Sequence, residues 1–343
     1  MADTIRVGII GGGWPGKAHA KGYQAAGFKL VSVADLIPAR RKAMMEEFKI
    51  GKEYADAKEL ILDPEVDAVS VCLPNDLHAP TVTAALKAGK HVICESAPAP
   101  SLKEAKQIEN AATRSGKVLL YAMQRRFGGN EQAARQAIAK GYVGNAYHAR
   151  AAWTRTRGVP LGTGWYTDKS KAGGGAMIDV GIHVLDLAWS LLGQPVATSV
   201  FAATHRRLPE LIPAEVKADV EDAAFALIRF EGGASLEVAA SWAMNQPPSQ
   251  NGASCRVFGD QGAVDVYTGS GALVYRSFTA KGESKDTPLK LPKTVGHAAL
   301  MRHFRACIRG EEQPIVGAKE GVAVMAMVDA IYRSAESGKS VQL

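Results

Sequence analysis

The chain has 343 residues, with 41 Lys and Arg against 34 Asp and Glu, for a formal net charge of +7. At 47% hydrophobic and 22% charged residues, it has the makeup of a globular protein of two domains, not of a fibrous or disordered chain. No apolar run reaches the roughly 18 residues of a membrane span, and the pattern of no nucleic-acid-binding module is present.

The N-terminus runs straight into Ile5–Ile10, a short apolar strand, so no signal peptide is expected. That strand ends at Gly11-Gly12-Gly13-Trp14-Pro15-Gly16, and Lys17–Ala26 reads as a helix. Lys29–Ala34 is a second strand closed by Asp35, followed by helices at Arg40–Phe48 and Ala57–Leu62. Ala68–Leu73 is a third strand, Pro80–Ala88 a helix and His91–Cys94 a fourth strand. Ser101 with Glu104 forms a capping box for a helix reaching about Ser115, and Val118–Ala122 is a fifth strand. Apolar strands alternating with helices predict an α/β fold, a doubly wound parallel sheet over residues 1–123.

The texture then changes. Glu131–Ala139 and Met177–Leu192 read as helices around a strand at Ala146–Trp153. Strand-like stretches follow at Thr198–Ala203, Ala223–Phe230, Ser235–Ser241, Ser254–Phe258, Gly262–Val266 and Ala272–Arg276. Strand after strand implies a large, open, mostly antiparallel sheet in a second α/β domain over 124–343. One face of such a sheet takes its own helices and the other is open to a second copy, so a homodimer or homotetramer is expected. Helices at about Ala298–Ile308 and Lys319–Ser337 close the chain, and Gln246–Gly252 is the expected mobile loop.

The glycine turn carries the first chemical signal. Gly11-x-Gly13-x-x-Gly16, with Trp14 inside it, follows a strand and opens a helix, where backbone N–H groups hold a pyrophosphate. Asp35 lies at the end of the second strand, the position from which a carboxylate accepts from ribose hydroxyls. A 2′-phosphate would meet its charge, so NAD is expected over NADP, although Arg40 and Arg41 lie near enough to blunt the argument. Ligands of open parallel sheets gather at strand carboxyl ends. Leu73, Pro74, Asn75 and His78 after the third strand, Glu95 after the fourth and Gln124 after the fifth are therefore candidate cofactor residues.

The second signal is Gly173-Gly174-Gly175-Ala176-Met177-Ile178-Asp179-Val180-Gly181-Ile182-His183. Asp179 and His183 are i and i+4, a spacing that puts both on one helical face. Histidine suits proton transfer near neutrality, so His183 is the candidate base for a substrate hydroxyl. Asp179 would orient it or hold a neighbouring hydroxyl. Trp165, Tyr166 and Lys169 precede the run and would cover a substrate, while Arg125, Arg126, Arg155 and Arg157 would meet polar or anionic groups. Between Arg114 and Lys171 there are 11 Lys and Arg against two acids, which fits a solvated basic face, an anionic substrate or a partner subunit. Cys72, Cys94, Cys255 and Cys307 are scattered, no His, Asp or Glu cluster has metal-like spacing, and reduced thiols in a cytoplasmic protein are expected.

These motifs together resemble the Gfo/Idh/MocA family, named for glucose–fructose oxidoreductase and inositol dehydrogenase. The glycine turn, Pro74–His78, His91–Glu95, Gln124–Phe127, Gly173–His183 and Ile331–Val341 fall in the family's order along essentially the whole chain. The resemblance implies a Rossmann domain, a second domain whose open sheet mediates assembly, and NAD(P)-dependent oxidation or reduction of a sugar, glycoside or polyol. It also implies two alternatives: glycoside cleavage through transient C3 oxidation and elimination, or cofactor binding without redox turnover. One motif departs from the family. Where its members read Glu-Lys-Pro, this chain reads Glu95-Ser96-Ala97. The family's lysine lies by the nicotinamide, so Ser96 is expected to contact the substrate or an ordered water in its place, with proton handling left to His183.

Overall fold

The computed structural model describes residues 4–162, 164–207, 209–267, 274–278 and 284–343. The chain divides into two compact units, Met1–Phe127 with Thr294–Met325, and Gly128–Lys293 with Ala326–Leu343.

The first unit alternates strands and helices: β1 (Arg6–Ile10), α1 (Trp14–Ala26), β2 (Lys29–Ala34), α2 (Pro38–Phe48), β3 (Lys52–Tyr54), α3 (Ala57–Leu62), β4 (Ala68–Val71), α4 (His78–Lys87), β5 (His91–Cys94), α5 (Leu102–Ser115) and β6 (Leu119–Tyr121). All six strands are parallel in the order β3-β2-β1-β4-β5-β6. The order reverses beside β1, which puts the topological switch point at the glycine turn. Val7, Ile9, Val69, Val71, Val92 and Ile93 are fully buried, as strands covered on both faces require. Ser101 caps α5 as expected, Oγ accepting from Glu104 N–H at 3.3 Å. The three-residue β3, Lys-Glu-Tyr, is too short and too charged to show a strand pattern in the sequence.

The second unit starts with α6 (Gly129–Ala139), β7 (Ala146–Thr154) and α7 (Lys169–Ala172), and a π-helical turn, Met177–Gly181, leads into α8 (Ile182–Leu191). Then follow β8 (Ala197–His205), β9 (Ala223–Phe230), β10 (Ser235–Ser241), β11 (Gly252–Gly259), β12 (Gly262–Tyr267), β13 (Val274–Phe278) and β14 (Ser284–Pro288). Helices α9 (Gly296–Ile308) and α10 (Ala318–Ser337) and the short β15 (Val341–Gln342) end the chain. Among the described residues the second sheet runs β14-β13-β12-β11-β7-β10-β9-β8-β15, antiparallel except for the β7–β10 pair. The π turn and α8 lie against β7, β10 and β11. Alternation along β8 and β9 sends Val200, Ala202, Ala224 and Ile228 inward and leaves Phe201 and Leu227 exposed on the other face. Of the strand predicted at Ala272–Arg276, Ala272 and Leu273 lie outside the described residues.

The first compact unit extends beyond the expected division at 123/124. Gln124–Phe127 and Thr294–Met325 belong to the first unit, so its chain is discontinuous. The cause is packing. Leu300, Met301 and Phe304 of α9 are fully buried, α9 lies along α1, and Phe304 stacks on Phe28 with ring centroids 6.2 Å apart. The segment before α10 also bonds to the sheet's edge, Tyr121 N–H to Val316 O at 2.9 Å.

Candidate active site

In the first unit the turn after β1 is shaped by contacts that exclude side chains. Gly11 has φ +101°, and a Cβ there would lie 2.1 Å from the Cys72 carbonyl oxygen; one on Gly16 would lie 2.0 Å from Gly11 O. Gly13 is open by contrast, with Pro15 Cδ the nearest atom at 3.8 Å from its Cβ position. Gly13 makes no side-chain cap to α1, so the helix's first N–H groups, that of Trp14 among them, face outward. Pro15 has no N–H to add. This is a cradle that fits a pyrophosphate.

Asp35 is fixed at the end of β2. Its Oδ2 accepts from Gly12 N–H and its Oδ1 from Ile37 N–H, each at 2.8 Å, so each oxygen keeps a lone pair for a ribose. Arg41 is already committed, donating to Asp35 O at 2.7 Å and to Glu53 at 2.8 Å. Arg40 is the half-exposed guanidinium beside the carboxylate, 3.9 Å from Oδ2.

After β4, Leu73 and Pro74 lead into a turn in which Asn75 is buried. His78 closes that turn. It is fully buried, with Nε2 2.8 Å from Leu73 O and Nδ1 2.8 Å from Ala97 O. These contacts tie the β4 loop to the β5 loop, so His78 positions the loop that follows β4. Glu95 accepts from its neighbour Ser96 N–H at 3.2 Å, and its other oxygen lies 2.9 Å from His19 Nε2. Gln124 Oε1 is buried with no hydrogen-bond partner among the described residues, a polar atom suited to a polar ligand. Arg125 is partly exposed, but Arg126 is buried and donates to Ile315 O at 2.8 Å. Arg126 therefore anchors the segment before α10.

In the second unit the glycine run is clamped by a residue with no motif around it. Glu221 accepts from Gly175 N–H and Met177 N–H, both at 2.9 Å, and from Tyr332 Oη at 3.0 Å. Its burial raises its pKa, while these donors oppose the rise. The clamp holds the start of the π turn. A π turn is wider than an α turn; Asp179 lies within it and His183 in the first turn of α8 that follows. Asp179 turns to Trp242, whose Nε1–H donates to Oδ2 at 2.7 Å. Burial raises the Asp179 pKa, and the Trp242 bond and the charge of Arg155 pull it down.

His183 is buried, with the Trp153 ring 5.8 Å away at a tilt of 49°. Arg155 lies over Trp153, 5.5 Å from its centroid, and donates to Gly158 O at 3.2 Å. Arg157 is exposed and bonded to Thr156 O and Asn245 Oδ1. Trp165 and Tyr166 stack on each other at 3.8 Å. Lys169 is exposed, its N–H bonded to Asp219, in the first turn of α7 that Asp168 caps. Asp168 also binds Lys217 Nζ at 2.7 Å, which with Ser170 holds its pKa at about 2. Sequence reading missed Glu221, Trp242 and Trp153 as site residues because each acts across a long stretch of chain. It also missed a cluster in the first unit: ligand atoms of His19, Glu95 and His297 lie within 4.8 Å of one another.

A parallel sheet with its glycine turn at the switch point defines a dinucleotide-binding protein. Residues 5–123 match the model for the oxidoreductase family with an NAD-binding Rossmann fold, and residues 132–265 match the GFO/IDH/MocA C-terminal domain. The chain belongs to the Gfo/Idh/MocA family of NAD-binding oxidoreductases. It is 32% identical over 359 residues to D-glucoside 3-dehydrogenase of Escherichia coli (strain K12), with 100% of this chain and 98% of that one covered. It is 30% identical to scyllo-inositol 2-dehydrogenase (NAD(+)) of Bacillus subtilis (strain 168), with 100% and 97% covered. Levoglucosan dehydrogenase, solved with NADH and levoglucosan, superposes with a TM-score of 0.88 at 26% identity over 99% of both chains. Among the described residues no helix is long and apolar enough to cross a membrane.

Proposed function

We propose that this protein is an NAD-dependent dehydrogenase of a secondary hydroxyl on a sugar, glycoside or polyol, with His183 as the general base. The observation that carries the reading is a buried imidazole against Trp153, one turn beyond a carboxylate held by Trp242. It comes with relatives named for dehydrogenation of a glucoside, an inositol and levoglucosan. NAD, held by the glycine turn and Asp35, supplies the hydride acceptor. His183 takes the hydroxyl proton, its neutral ring being the form a base requires. Asp179, short of solvent and with a lone pair beyond its Trp242 bond, accepts from a second hydroxyl of the ring. Trp153 gives an apolar face to sugar C–H bonds. Phe201, exposed with Leu227 on the uncovered sheet face, supports assembly with a second copy into a homodimer or homotetramer.

A spectrophotometric screen of glucosides, inositols and anhydrosugars with excess NAD tests the reading. Accumulation of NADH with a substrate of these classes is the expected result. Release of aglycone without net NADH would support the cleavage reading through transient C3 oxidation, which the glucoside 3-dehydrogenase relative brings into view. Neither signal across the screen would overturn the proposal.

A further inference from the structure

Three residues that are far apart in sequence meet in the first unit. His19 stands on α1, Glu95 follows β5, and His297 is in the first turn of α9. His19 is fully buried, and its ring lies 5.7 Å from that of His297. The approach is built into the packing of α9 on α1. A Cβ on Gly22 would lie 2.9 Å from His297 O and 3.0 Å from Met301 Cγ, so any larger residue there would push His297 away.

The surroundings orient the ring of His19. Its Nδ1 is 2.9 Å from Ser70 Oγ, which is itself 2.8 Å from Tyr23 Oη, and both partners are buried. In the tautomer whose Nδ1–H donates to Ser70, Nε2 presents a lone pair to Glu95 Oε1 at 2.9 Å, and a cation between the two satisfies both. An oxygen holding the far nitrogen of a histidine is also the arrangement that steadies metal-ligating imidazoles. Cys72 Sγ is 3.7 Å from His19 Nδ1, on the side of the ring that faces away from Glu95.

We propose that His19 Nε2, a Glu95 carboxylate oxygen and a His297 ring nitrogen form a binding site for one divalent transition ion of the zinc type. Two imidazoles and one carboxylate are a donor set that such ions accept, with a coordination position left for water. Bonds of about 2.0–2.2 Å place ligand atoms about 3.3 Å apart in a tetrahedron. The 2.9 Å pair is already near that value, and all three ligand atoms lie within 4.8 Å of one another. The inference does not depend on the proposed reaction.

The test is isothermal titration of the full chain, dialysed against chelator, with zinc chloride, and a parallel titration with cobalt(II) followed by visible absorption. The expected result is one zinc per chain and a cobalt spectrum of low-coordinate type. His297→Ala, a partly exposed position, should weaken zinc at least about tenfold while circular dichroism stays unchanged. His19→Gln gives a second reading should His297→Ala fail to fold. No stoichiometric binding by the parent protein would overturn the site. So would binding that both variants leave intact, and the cluster would then be a hydrogen bond from His19 Nε2–H to Glu95 with a histidine beside it.

Discussion

In the first unit, Gly11, Gly16 and Asp35 act within a single strand–turn–helix–strand segment, and Asp35 is fixed by the N–H groups of Gly12 and Ile37. In the second unit every important group is held from afar. Trp242 is 63 residues from Asp179, Glu221 is 46 from Gly175, and Tyr332 is 111 from Glu221. A local motif survives if its own segment folds. A site assembled across a sheet depends on the folding of the whole unit, so its chemistry and its stability are coupled.

The comparison predicts that damage in the second unit spares cofactor affinity. His183→Ala carries the largest expected effect, a fall in kcat of about 10²–10⁴-fold, the usual contribution of a general base. The NAD dissociation constant from fluorescence titration should stay within about twofold. A variant that keeps near-parental turnover would take His183 out of the chemistry, and a lost NAD affinity would break the contrast between the units.

Glu221→Ala comes next. It strands the N–H groups of Gly175 and Met177 and the Tyr332 hydroxyl in a buried place. Buried donors left unpaired cost about 1–3 kcal/mol each in isolation, so a loss of about 3 kcal/mol is expected after relaxation. Urea unfolding should show it, with kcat reduced because the π turn before His183 is released. Glu221→Gln keeps one acceptor oxygen and should recover part of both. Full stability in Glu221→Ala would show that the clamp holds nothing.

The same contrast explains what could be read from the sequence. The parallel sheet was legible because each strand is a continuous apolar run and each helix begins at a visible boundary, such as Ser101 before α5. The turn residues and Asp35 were legible because their partners are neighbours. The open sheet was legible as strand after strand, yet β14 and β15 were not, since Ser-Lys-Asp-Thr-Pro and Val-Gln carry no apolar alternation. A period of 3.6 residues was the natural reading of Met177–Leu192, and nothing local in it reveals a π turn imposed by Glu221. The return of α9 to the first unit rests on Leu300, Met301 and Phe304 finding α1 some 280 residues earlier in the chain, as in the Arg305 bond to Ala26 O at |i−j| of 279. His19, Glu95 and His297 are invisible as a group for the same reason.

Trp242→Phe should act through protons alone. The indole N–H stabilises the ionised form of Asp179, so removing it raises a carboxyl pKa that burial has already raised. The acid limb of kcat/KM should therefore move to higher pH. A hydrogen bond to a charged group is worth about 1.5 kcal/mol, which corresponds to about one pH unit. An acid limb that does not move would show that Asp179 does not titrate in the active form.

The smallest effect is expected where the first unit departs from its family, at Ser96. Lysine is the residue that the Gfo/Idh/MocA resemblance puts there, so Ser96→Lys asks whether the site has kept a place for its charge. The structure argues that it has not. The adjacent carboxylate is that of Glu95, and one of its oxygens already lies 2.9 Å from His19 Nε2 while the other accepts the N–H of residue 96 itself. An added ammonium would either compete with His19 for that carboxylate or sit partly buried without a counter-ion, and an unpaired buried charge is costly. Turnover of Ser96→Lys at saturating NAD should therefore equal the parent's or fall by a few fold. A tenfold rise in kcat would mean that the place beside Glu95 still accepts the cation and that His183 is not the sole carrier of protons.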